Sequence, residues 1–299
     1  IKMINIDNKI YKIDKQNDKN KYQSKRIKNI NKKSIKKAAL LIGINYTGSD
    51  YQLNGCINDV TNIKKMLIEK YKFKDKDILL ITDDISNTKN YPTKKNIIRG
   101  FKWLLRKNKR GYKNLWFHYS GHGTYIKDTN GDEKDKRDEC IAPLDFTTNG
   151  FITDDLILKT LVKPLSKFTR LVSVMDCCNS GSQVDLIYNY RGGSKNSINV
   201  NKKSWLKARV ISISGCKDTQ ESDDRKYISG WGGALTKNFV DILKKNKYRI
   251  TCNRLLKELR YRLLKDGHSQ IPQITCSRKI RNRTIFSNRK YKKYAYTFI

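Results

Sequence analysis

The chain has 299 residues, with 64 Lys+Arg against 28 Asp+Glu, a net charge of +36, and 37% hydrophobic and 10% aromatic residues. That apolar content excludes a wholly disordered chain, and the length allows one large domain or two small ones around a sizeable core. The longest apolar runs, such as 38–42, are far too short to span a bilayer, so no membrane partner is expected.

Residues 1–36 hold twelve basic and three acidic residues, and 277–299 hold eight basic and none acidic, so the 240 residues between them carry +19. The 1–36 stretch is Lys/Asn-rich and reads as a basic N-terminal extension. Lys, Asn and Ile are abundant together, as an AT-rich coding bias produces, and the charge is read as a solvated surface; a nucleic-acid partner is the disfavoured alternative. The first residues lack an apolar leader region, and the seven cysteines are too few and too scattered for a disulfide scaffold. Reduced thiols and a cytoplasmic location are the expectation.

From residue 37 the texture changes. Apolar runs at 38–45, 77–82, 115–120, 170–176, 208–214 and 273–276 read as strands buried on both faces. Between them, 58–71, 94–107, 154–165, 233–244 and 252–264 place apolar residues at helical spacing. Strand and helix alternate throughout, which predicts an α/β fold: a mostly parallel, six-stranded central sheet with helices on both faces. Residues 186–204, rich in Gly, Ser and Asn, read as an exposed loop. The domain at 37–299 thus divides into a larger segment, 37–185, and a smaller one, 205–299.

Reactive groups in such sheets gather at the carboxyl ends of the strands. The third predicted strand runs into His118-Tyr119-Ser120-Gly121-His122-Gly123, and the fourth into Asp176-Cys177-Cys178-Asn179-Ser180-Gly181. A His and a Cys brought from neighbouring strands to one crevice form a nucleophile and its base, since only the thiolate is a good nucleophile. His118 lies within its strand and reads as a packed, hydrogen-bonded core residue. Cys177 and Cys178 alternate across the chain, so only one of them faces the crevice. Cys140, Cys216, Cys252 and Cys276 read as small buried apolar groups.

Two acidic features stand out against the basic background. Residues 128–155 contain nine acids and three bases. Read one way this is a solvated hairpin with a helix first turn; read the other way it is a site for a hard cation, assembled from distant segments because Glu133 stands where a calcium-binding helix–loop–helix would need Gly. Asp59 either complements a helix dipole or, with Asp176, lines a pocket for a Lys or Arg side chain.

Taken together, the ordered motifs resemble a metacaspase of the single-chain type I group, a caspase-fold cysteine peptidase. The resemblance covers about residues 37–277. It is carried by Leu41-Ile42-Gly43-Ile44-Asn45-Tyr46, Gly55-Cys56-Ile57-Asn58-Asp59-Val60, His118 to Gly123, Asp138-Glu139-Cys140-Ile141-Ala142-Pro143, Asp176 to Ser182 and Gln270-Ile271-Pro272-Gln273. It implies His122 as general base and Cys178 as nucleophile. It implies Asp59 and Asp176 in the pocket for the residue before the scissile bond, lined by Cys56 and Ser120. It also implies Ca2+ held by Asp138, Asp154, Asp155 and Asp185, cleavage of protein or peptide substrates after Arg or Lys, and a monomer. Asn179 departs from the His that the family usually has after the nucleophile. The amides of Gly123 and Cys178 are the candidate oxyanion hole. No third catalytic group is evident, so a Cys-His dyad is expected. Self-cleavage is expected at Arg191, Lys195 or Lys202, or in the basic extension. The rival reading is an inactive scaffold of the same fold whose basic termini bind polyanions.

Overall fold

The computed structural model describes residues 2–6, 9–13, 35–84, 88–127, 137–177, 186–190, 198–199, 206–215, 224–227, 230–268 and 270–279. The chain forms two compact units, Ile1–Ile35 and Lys36–Ile299. Within the first, β1 (Lys2–Ile6) and β2 (Lys9–Ile13) form an antiparallel hairpin, so part of the predicted extension has a fold of its own.

The second unit begins with β3 (Lys37–Gly43), α1 (Cys56–Glu69), β4 (Ile78–Thr82), α2 (Lys94–Lys109), β5 (Asn114–Ser120), β6 (Gly123–Lys127) and β7 (Arg137–Ile141). It continues through α3 (Phe146–Asn149), β8 (Ile152–Thr153), α4 (Asp154–Ile157), β9 (Arg170–Asp176), β10 (Tyr188–Tyr190), β11 (Ile198–Asn199) and β12 (Arg209–Ser214). It ends with β13 (Asp224–Tyr227), β14 (Gly230–Gly233), α5 (Ala234–Lys245), α6 (Cys252–Lys265) and β15 (Gln273–Cys276).

All six predicted strands enter one sheet of order β11-β10-β15-β12-β9-β5-β3-β4. Strands β4, β3, β5, β9 and β12 run parallel to one another, and β15 pairs antiparallel with β12. Two short antiparallel strands, β10 and β11, extend the edge beyond β15, giving eight strands rather than six. Both fall in the 186–204 stretch expected to be an exposed loop. Asn189 and Tyr190 are buried, because a three-residue strand can pair with β15 without showing any periodicity in the sequence.

Alternation along the strands sorts the core into two layers. Ala38, Leu40 and Ile42 with Leu115, Phe117 and Tyr119 pack under α2. Ala39 and Leu41 with Trp116, Val172 and Val174 pack under α1, α5 and α6. The predicted helix 154–165 is interrupted. Thr153 caps it by accepting from the Leu156 amide, but after Ile157 the backbone widens into a π turn over Leu158–Val162. Among the described residues no helix is long and apolar enough to cross a membrane.

Candidate active site

The parallel ladder sets Gly43, Ser120 and Asp176 in register, so β3, β5 and β9 finish side by side. Just beyond β3, Asn45 accepts from the Cys56 and Ile57 amides at 3.0 and 3.4 Å and so holds the first turn of α1 against the strand ends. A β-carbon on Gly43 would lie 2.6 Å from the Cys56 carbonyl oxygen, so only glycine lets this helix approach so closely.

Helix α1 delivers Asp59 to the strand ends. Ser120 Oγ donates to Asp59 Oδ2 at 2.8 Å, and the Gly233 amide reaches the same oxygen at 3.0 Å. Asp176, from the end of β9, accepts from the Thr236 amide at 2.7 Å, in the first turn of α5. Asp59, Ser120 and Asp176 are all buried. A β-carbon on Gly233 would stand 2.3 Å from Asp176 Oδ2 and 2.8 Å from Asp59 Oδ2, so both carboxylates close on one glycine backbone. Hydroxyl and amide donors and the positive end of the α5 dipole favour negative charge on the pair. The pair can hold a cationic side chain presented at the strand ends. Cys56 is buried at the start of the same helix.

His122 stands at the far end of the Ser120 turn, half-buried. Its Nε2 is 2.7 Å from the Tyr51 carbonyl oxygen, which can only accept, so Nε2 carries the hydrogen and Nδ1 has the lone pair. The His122 backbone is fixed just as closely. The Ala142 amide donates to the His122 carbonyl at 3.1 Å, but the return rung is bridged by a side chain: the His122 amide donates to Tyr46 Oη at 3.1 Å, and Tyr46 Oη donates to the Ala142 carbonyl at 2.6 Å. Tyr119 Oη donates to the His122 carbonyl at 2.8 Å. Burial pushes both phenols well above their ordinary range, so they stay protonated. Gly121 makes room for them, since a β-carbon there would lie 2.7 Å from Tyr119 Oη. Tyr46 itself sits at φ 50°, an unfavourable backbone for a residue with a side chain.

Antiparallel rungs alternate, so with His122 and Ala142 bonded, the next pair, Gly123 and Ile141, exchanges no ladder bond. The Gly123 amide therefore points off β7.

Cys178, Asn179, Asp185 and the expected self-cleavage residues Arg191, Lys195 and Lys202 lie outside the described residues. Cys177 is fully buried in the apolar layer that holds Tyr119 and Met175. His118 is fully buried as expected, but neither ring nitrogen has a hydrogen bond, contrary to the expectation of a hydrogen-bonded core histidine. It faces the apolar α1 side of the sheet, and desolvation lowers its pKa to about 3.

Of the expected calcium ligands, Asp138 on β7 and Asp154 at the start of α4 are both buried, and Asp155 is half-buried. The β7–β8 pairing, Cys140 with Thr153, brings Asp138 and the equally buried Glu139 close to Asp154. Cys140 registers them: burial, then the charges of Asp154 and Asp138, push its thiol up to about 12. An all-oxygen donor pair of this kind suits a hard cation. Among the described residues no group of three His, Cys, Asp or Glu side chains converges to hold a metal ion.

Residue type and spacing alone point to no role for Tyr46, Tyr51, Gly233 or Thr236. Tyr46 and Tyr119 lie within the motifs that carry the resemblance, whereas Tyr51 acts through its backbone carbonyl, which residue type does not signal.

Residues 36–187 match the family model described as metacaspase, peptidase C14 domain. A metacaspase-1B of Neurospora crassa is 36% identical over a stretch covering 83% of this chain and 68% of that protein. A metacaspase-1 of Plasmodium falciparum is 43% identical over 70% of this chain and 35% of that protein. A solved structure of a Geobacter sulfurreducens protein, 23% identical, superposes with a TM-score of 0.58 over 81% of this chain and 93% of that one, sharing the fold.

Proposed function

This chain belongs to the metacaspase family of cysteine peptidases, and from that premise we propose that it is a calcium-dependent endopeptidase cutting after Arg or Lys, with Cys178 as nucleophile and His122 as general base. The observation that carries the reading is the convergence of Asp59 and Asp176 on the Gly233 backbone, beside Ser120 at the end of β5, two residues before His122. Two carboxylates there complement a guanidinium or ammonium group and repel an acidic one.

His122 Nδ1 takes the Cys178 thiol proton, and the thiolate adds to the substrate carbonyl carbon. The oxyanion is held by the amides of Gly123 and Cys178; removing one such donor typically costs about 10²–10³ in rate. The C–N bond then breaks as His122 returns its proton to the leaving amine. Water, deprotonated by the same nitrogen, hydrolyses the thioester. The Tyr51 carbonyl keeps the ring in the required tautomer throughout, so a backbone atom joins the expected dyad as its third member.

Calcium, bound by Asp138 and Asp154 with Asp155 and Asp185, would supply positive charge that lets these acids pack together. Self-processing at Arg191, Lys195 or Lys202 follows from the same specificity. A reducing cytoplasmic setting suits the free thiol, and the enzyme acts as a monomer on protein substrates.

The test is hydrolysis of fluorogenic Arg-, Lys- and Asp-peptides with calcium and with chelator. The expected outcome is calcium-dependent cleavage of the basic substrates, abolished in Cys178→Ala and retained in Cys177→Ala. Preference for the Asp-peptide would overturn the pocket assignment, and equal rates in chelator would overturn the calcium requirement.

A further inference from the structure

The two sides of the site differ in chemistry. Asp59, Ser120 and Asp176 are held against α1 and α5, on one face of the sheet. On the other face, past His122, stands a row of rings. The Tyr51 ring is edge-on to His122 with centroids 6.4 Å apart, it meets Phe146 edge-to-face at 5.0 Å, and Phe146 stacks on Phe151 at 5.3 Å. Phe146 and Phe151 pack on the α2-side core, whereas Tyr51 is 49% exposed.

The loop that presents Tyr51 is pinned by its own hydrogen bonds. Ser49 Oγ donates to the Tyr46 carbonyl at 2.7 Å and accepts the Tyr51 amide at 3.2 Å, and the Leu53 amide donates to the Asn45 carbonyl at 2.7 Å. An exposed ring on a fixed loop, backed by a second ring, is a ready contact surface with little ordering entropy left to lose.

A peptide whose basic side chain enters the Asp59–Asp176 side must cross the strand ends past His122. The imidazole protonates the leaving amine, so the residue after the scissile bond emerges on the far side of the ring, beside Tyr51. We propose that Tyr51, backed by Phe146, forms a subsite for an apolar or aromatic side chain on the residue immediately after the scissile bond. This rests on the reading of His122 as the base. Tyr51 then has two separable roles: its carbonyl orients the base in any variant, while its ring selects the leaving half of the substrate.

The experiment uses the full chain and internally quenched peptides with Arg before the scissile bond and Gly, Ser, Leu or Phe after it. The wild type is expected to favour Leu and Phe over Gly by about tenfold in kcat/KM. In Tyr51→Ala that ratio is expected to fall to near unity, and Tyr51→Phe is expected to restore it. A wild type indifferent to this position, or an unchanged preference in Tyr51→Ala, overturns the subsite. Cleavage surviving in His122→Ala overturns the base assignment instead, so the two failures are distinguishable.

Discussion

Ser120 Oγ donates to Asp59 Oδ2 at 2.8 Å, tying the end of β5 to the first turn of α1 directly beside Asp176. Each of the two acids also holds the start of α5, Asp59 through the Gly233 amide and Asp176 through the Thr236 amide. Charge and architecture can be separated by substitution. Asp176→Asn can still accept from Thr236 but loses the charge. It is expected to lower kcat/KM on Arg-peptides by at least about 100-fold, the scale of a lost charged contact, while thermal stability changes little. Asp176→Ala also loses the cap and should destabilise by about 1 kcal/mol more. If Asn and Ala variants are equally active at near wild-type levels, the acid serves only α5.

Gly233 is the point where both acids meet. A β-carbon at 2.3 Å from Asp176 Oδ2 cannot be accommodated without moving a carboxylate or the α5 start. Gly233→Ala is therefore expected to lose activity on Arg- and Lys-peptides by one to two orders of magnitude, roughly 1.4–2.8 kcal/mol of transition-state stabilisation. The variant is expected to remain folded, which circular dichroism checks. Wild-type kcat/KM in this variant would show that the pair is not the pocket.

Much of this arrangement is legible in the sequence because it depends on local patterns. The apolar runs give all six main strands, and their carboxyl ends carry the residues that the ladder brings into register. That Asp59 and Asp176 share one pocket is implied only by the family resemblance, since the residue pattern alone leaves Asp59 equally readable as a charge on the α1 dipole. Three features escape for physical reasons. The edge strands β10 and β11 are too short to show alternation. The break after Ile157 is a backbone widening within a stretch whose apolar spacing stays helical. The tyrosine pair works through tertiary hydrogen bonds between residues 73 apart, which no window can detect.

Tyr46 completes the ladder beside His122, and its hydroxyl is the only part of the ring that does so. Tyr46→Phe leaves the His122 amide and the Ala142 carbonyl without this bridge inside a buried region. The cost is expected at about 1–3 kcal/mol of stability. Because the displaced backbone carries His122, the proposed base, kcat should fall more than KM changes. Denaturant unfolding and steady-state kinetics on one variant measure both. Unchanged kcat would mean that Tyr119, whose hydroxyl lies 2.8 Å from the His122 carbonyl and 3.1 Å from the Ala142 carbonyl, holds the turn alone.

His118 gives a pH signature that does not involve catalysis. In the folded protein burial lowers its pKa to about 3, whereas an unfolded chain binds the proton near 6.5. Between these values the unfolded state holds more protons, so stability is intact above about pH 6.5 and is lost as pH falls toward 3. The slope from this one group is about 1.4 kcal/mol per pH unit at its steepest. Other acids contribute to the total, so the informative quantity is the difference between the wild type and His118→Leu. Replacing a ring whose nitrogens have no hydrogen bond by an apolar side chain is expected to be neutral or stabilising at pH 7, and to remove this part of the slope. Urea midpoints from pH 7 to 4.5 should therefore diverge, the variant gaining on the wild type at each step down. Parallel curves would mean that His118 gains a proton inside the fold, which the apolar surroundings of β5 oppose.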